Sequence, residues 1–185
     1  MQLDPKTLIM IAVVVAVLVV LLFVVMRKQR TVALRKRFGP EYERTVREHG
    51  AARAEAVLLQ REKRVEKLQL RELSADERER FVTEWRTVQS RFVDDPKGAV
   101  SDADELITRL MNLRGYPMSD FGQRAADISV DHPRVVDNYR AAHEIALRHR
   151  RGEATTEDMR NALIYYRSLF DELLQTRPVE QKEVA

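Results

Sequence analysis

A chain of 185 residues without a single cysteine has no disulfide, no thiolate metal site and no cysteine nucleophile. Its length suffices for one membrane segment plus one domain of ordinary size, and six glycines with six prolines argue for long helices and few turns. The net charge of +3 is local. Seven of the 32 basic residues are Lys6 and the cations from Arg27 to Arg37, so from position 38 onward 25 basic residues face 28 acidic ones, a balance with no electrostatic footprint for nucleic acid.

Residues 1–7 read as a short N-terminal tail. Residues 8–26, "LIMIAVVVAVLVVLLFVVM", are nineteen consecutive apolar residues. At about 1.5 Å per residue a helix of that length spans roughly 28 Å, close to the hydrocarbon core of a bilayer. The run is too long for a signal-peptide core, its leading segment is not basic and no small-x-small cleavage site follows. A retained single-pass transmembrane helix is therefore expected.

A basic juxtamembrane segment, 27–40, follows. Arg27, Lys28, Arg30, Arg35, Lys36 and Arg37 stand against Lys6 alone on the other side. The positive-inside rule then puts the N-terminus outside and the bulk of the chain in the cytoplasm. The same six cations are the candidate membrane-surface residues, each contributing about 1 kcal/mol toward anionic lipid head groups. Their plainer role is as a topology signal.

From 41 to 80, 20 of 40 residues are charged, ten of each sign. Apolar residues there are sparse, no heptad is sustained, and a strong coiled coil is not expected. A charged stalk helix over 41–73 is predicted as a solvent-crossing spacer, with weak homo-oligomer contacts along "AVLLQREKRVEKLQL" (residues 56–70) as a secondary expectation.

Residues 74–176 read as a small helical bundle. "SADE" at 74–77 is a capping box, and Phe81, Trp85, Val88 and Phe92 then share one helical face. Asp95 and Pro96 open a second helix that buries Val100, Ala103, Leu106, Ile107 and Leu110. Gly115 stops it, Pro117 fixes the exit and Ser119 is expected to cap a short helix at 120–128. Asp131 and Pro133 are expected to start the next helix, with Val135, Val136, Tyr139 and Ala142 inward. "RHRRG" ends it, and Thr155 with Asp158 caps the last helix, which carries Met159, Leu163, Tyr166, Phe170 and Leu173 on one face. Residues 177–185 form a polar tail expected to be disordered. The fold class is all-α: transmembrane helix, charged stalk and C-terminal helical bundle.

For chemistry, the densest polar group is Asp120, Arg124, Asp127, Asp131 and His132, with His143 further on. Carboxylates beside histidine suit metal binding or acid–base work. No spacing here fixes three ligands on one face, and there is no phosphate-binding glycine loop, nucleophile elbow or H-E-x-x-H. The plain expectation is that Asp127 is solvated, Asp131 caps a helix and His132 sits at that helix start. No cofactor and no metal ligand set is assigned.

The strings D-D-P (Asp94–Pro96), R-G-Y-P (Arg114–Pro117) and D-H-P (Asp131–Pro133) carry a resemblance over about residues 30–175. The chain resembles a family of small uncharacterised bacterial single-pass membrane proteins with a helical C-terminal domain. That resemblance implies an inner-membrane setting and no particular activity. The expected function is a membrane-tethered, non-enzymatic helical module that scaffolds or recruits a cytoplasmic protein. The alternative is a membrane-anchored enzyme or metal-binding domain built on Asp127, Asp131 and His132.

Overall fold

In a computed structural model of the chain, residues 5–175 are described, apart from the side chains of residues 5–9, 12 and 13. The expected tails, 1–7 in part and 177–185 entirely, lie outside the described residues. Among the described residues there are eight helices and no strand: α1 Pro5–Phe38, α2 Pro40–His49, α3 Ala51–Val65, α4 Ala75–Asp94, α5 Pro96–Leu113, α6 Phe121–Asp131, α7 Val136–Arg150 and α8 Thr156–Gln175.

The all-α class holds. Among the described residues no helix is long and apolar enough to cross a membrane. The apolar run at 8–26 includes residues 8, 9, 12 and 13, whose side chains fall outside that set.

The basic segment is not a separate unit. It continues α1 without a break to Phe38, and Leu34 and Phe38, one turn apart, are 3% and 0% exposed. The spacer expected over 41–73 is also corrected. It is two helices folded into a hairpin, because Gly50 adopts φ 78°, ψ 154°, a conformation that only glycine enters without strain. The hairpin packs back on the chain. Leu34 and Phe38 of α1, Tyr42 of α2, Leu58 and Val65 of α3 and Val130 of α6 form a second apolar core. Leu58 and Val65, residues of the stretch offered for self-association, are thus used inside the chain.

α3 runs parallel to α1. Thr31 Oγ1 donates to Glu55 at 2.6 Å, and Arg37 pairs with Glu62 at 3.0 Å, so ascending positions on one helix meet ascending positions on the other. α2 lies between them in sequence and runs the opposite way, with Arg35 paired to Glu43 at 2.7 Å near the turn at Gly39.

The main core lies among α4, α5, α7 and α8, with α6 closing one side. Local chemistry sets the helix starts. Ser74 and Glu77 form the full capping box on α4, Asp95 accepts from Gly98 N at 2.9 Å on α5, and Thr155 and Asp158 cap α8 reciprocally. Phe81, Trp85 and Val88 are buried as expected, and Trp85 stacks on Phe170 with centroids 4.7 Å apart.

Two helix boundaries differ from expectation. Asp120, not Ser119, caps the short helix, accepting from Gln123 N at 3.0 Å. That helix runs on to Asp131, so Asp131 and Pro133 do not begin α7, which starts at Val136 without a side-chain cap. α6 turns Ala125 and Ile128 into the main core and runs past the expected end at 128 to bury Val130 in the second core.

The R-G-Y-P stretch is a structural corner. Gly115 has φ 94°, and a Cβ there would come within 2.5 Å of the Gln69 carbonyl oxygen. Arg71 N donates to Arg114 O at 3.0 Å, so the strip between α3 and α4 is fastened onto the corner. Tyr116 is 2% exposed within the core.

Candidate functional site

The polar cluster read from the sequence is spread along α6, and its members face different helices. Asp127 is 1% exposed, against the expectation that it is solvated. Its Oδ1 accepts from Arg64 Nε of α3 at 2.6 Å and from Gln123 at 2.9 Å. Asp131, one turn further along at the end of α6, accepts from the Tyr116 hydroxyl at 3.3 Å. His132 follows the last residue of α6, is 1% exposed, and places Nδ1 3.5 Å from a Glu172 carboxylate oxygen of α8. It therefore sits at a helix end, not a helix start. Burial holds its pKa below the ordinary histidine value, with Asp131 and Glu172 pulling the other way, and the ring is neutral at pH 7.

Arg124 lies beside Tyr139, and burial raises that phenol to about 12. His143 stacks on Phe121 at 3.6 Å, and burial lowers its pKa too. Asp127, Asp131 and His132 do not converge on a common point. Asp127 joins α6 to α3, Asp131 joins it to the corner after α5, and His132 joins it to α8. Among the described residues no group of three His, Asp or Glu side chains is placed to hold a metal.

The strongest electrostatic feature was not anticipated. Glu41, 1% exposed at the start of α2, accepts from Arg61 of α3 at 2.6 Å and from both terminal nitrogens of Arg140 of α7 at 2.7 and 2.8 Å. Arg61 also donates to Ser129 of α6 at 3.2 Å. One carboxylate with two guanidinium groups thus ties the hairpin to α6 and α7, and the Arg64–Asp127 pair lies on the same two helices, α3 and α6. In the sequence Glu41 reads only as an acid favoured near a helix N-terminus. The partner lies 99 residues away, and no local pattern signals it.

A further buried charge is Arg114, 2% exposed, whose Nη1 donates to Leu173 O at 2.8 Å. Arg78 donates to the neighbouring Leu174 O. Two arginines therefore satisfy carbonyls that the last turn of α8 leaves without helical partners. Burial lowers the Arg114 pKa.

Of the six juxtamembrane cations, Arg35 and Arg37 are engaged by Glu43 and Glu62, and Arg35 also lies over the Tyr42 ring at 5.5 Å. Arg27, Lys28, Arg30 and Lys36 are exposed and form no ion pair among the described residues. Comparison with family models, curated proteins and solved structures found no match.

Proposed function

We propose that the chain is a single-pass, membrane-anchored helical module that presents its bundle in the cytoplasm and there scaffolds or recruits a protein partner. The observation that carries this reading is the apolar surface of α1. Met10, Ile11, Val14, Val15 and the large apolar residues from 17 to 26 are between 47% and 66% exposed, on every side of the helix. A sleeve of that kind is unstable in water and stable in hydrocarbon. Taken with the uninterrupted run at 8–26 and the cations at 27, 28 and 30, it suits a helix that enters a bilayer and ends at its cytoplasmic face. The resemblance to small bacterial single-pass proteins favours the inner membrane.

In the bundle, the ionisable groups with buried partners serve to join helices, which favours a scaffold over the enzyme reading based on Asp127, Asp131 and His132. Among the described residues beyond α1, the exposed large apolar ones are Val93, Met118 and Ile164, at 83%, 44% and 56%. Partner contact would include these positions. Alkaline washing of membranes tests the anchor: the full chain should stay in the pellet, and a variant lacking residues 8–26 should leave it. Photo-crosslinkers at Val93, Met118 and Ile164 in cells test recruitment. A discrete adduct at one of these positions is expected, and no adduct at any of them contradicts a scaffold role for this surface.

A further inference from the structure

The contacts between α1 and α3 fix which part of the hairpin reaches the end of the apolar sleeve. Thr31 meets Glu55 and Arg37 meets Glu62, offsets of 24 and 25 residues on two parallel helices. With equal rise per residue, the same offset puts Gly50 level with residues 25 and 26, where the apolar run ends at Met26. The tip of the hairpin therefore returns to the height at which α1 changes from apolar to basic.

That tip is exposed from Arg47 to Arg53. Arg47, His49 and Arg53 form no ion pair among the described residues, while the acid beside them, Glu48, is held by Arg44 at 2.8 Å. The tip thus adds uncompensated positive charge at the level of Arg27, Lys28 and Arg30. It is joined to α1 through Leu34, Phe38 and Leu58 in the second core, so it cannot be withdrawn without opening that core.

We propose that the α2–α3 tip is a second membrane contact, in which Arg47 and Arg53, with Arg27, Lys28 and Arg30, dock on the phosphates of anionic lipid head groups. This rests on the membrane reading above and deepens it. The hairpin then acts as a bracket that holds the bundle at the bilayer surface, the reverse of a spacer that carries it away. The occupant is lipid because the same helix register that delivers the cations places them beside an apolar sleeve. Phosphate charge in a head-group layer attracts each basic residue held near it and loses that hold as salt rises.

The natural absence of cysteine allows a single probe on the full chain. Ala51→Cys carries an environment-sensitive fluorophore, and Val93→Cys on α4 serves as the control. Each labelled chain is reconstituted into nanodiscs of phosphatidylcholine alone or of phosphatidylcholine mixed with phosphatidylglycerol. At position 51 the emission should shift to shorter wavelength in the anionic discs, and high salt should reverse the shift. Position 93 should not respond. Arg47→Gln with Arg53→Gln should return position 51 to its emission in neutral discs, with helical circular dichroism unchanged. Equal emission from position 51 in both lipids, in a chain that has inserted into the discs, overturns the bracket and leaves the anchor standing. Failure of the chain to co-migrate with either disc overturns both.

Discussion

Arg140 grips Glu41 with both terminal nitrogens, at 2.7 and 2.8 Å, across 99 residues of sequence. Arg61 reaches the same carboxylate from the other side at 2.6 Å. The contact joins the first helix of the hairpin to the penultimate helix of the bundle, and it adds to the tie that Arg64 and Asp127 make between α3 and α6.

Removing that acid leaves two guanidinium groups facing each other in a largely dry site. Breaking a buried ion pair from one side costs about 3–5 kcal/mol. Both arginine side chains keep some water contact, at 12% and 15% exposure, so Glu41→Ala should fall at about 3 kcal/mol, the lower end of that range. Replacing Glu41, Arg61 and Arg140 together by Leu or Met should cost much less, because no charge is then left behind. Urea unfolding of the detergent-solubilised full chain checks both.

Gly115 and Asp120 should differ in a fixed order. Gly115→Ala meets two obstacles, a positive φ of 94° and a carbonyl oxygen 2.5 Å from the new Cβ. The left-handed penalty alone is about 1–2 kcal/mol, and displacing backbone adds to it, so a loss of about 2–4 kcal/mol is expected. Asp120→Ala removes a helix cap and should cost about 1 kcal/mol. A larger loss at Asp120 in the same urea series would mean that the corner is held by something other than its backbone.

His132 sets a pH window. Its pKa is depressed in the folded chain by burial, so the unfolded chain takes up a proton first as pH falls. Stability from this group is therefore complete above about pH 6.5, the unfolded value, and is lost as pH falls below it. His143 is depressed in the same direction and adds to the slope. Melting temperature should drop between pH 7.5 and pH 5.5, both points chosen to bracket that unfolded value. The slope should flatten in His132→Gln.

What was legible in the sequence was local. Ser74 with Glu77, Asp95 with Gly98 and Thr155 with Asp158 lie three residues apart, and a cap needs no information from elsewhere in the chain. The apolar stripes of α4, α5 and α8 were readable for the same reason. The hairpin was not, because Glu41, Arg61, Arg64 and Asp127 look like ordinary solvated charges until tertiary pairing buries them. Leu34 and Phe38 were hidden by the cations around them. Asp131 and His132 are legible as helix-boundary residues but mark the end of a helix and not a start, since α6 continues to bury Val130, and the cap expected of Ser119 falls one residue later on Asp120.

Sidedness of Met118 in living cells tests the anchored, cytoplasmic bundle most directly. Met118 is 44% exposed on the loop before α6, and in this cysteine-free chain Met118→Cys offers the single thiol. A membrane-impermeant maleimide should fail to label it in intact spheroplasts and should label it fully once the membrane is permeabilised, with the chain in the membrane fraction throughout. Labelling in intact spheroplasts would reverse the orientation, and recovery of the chain in the soluble fraction would contradict the anchor itself.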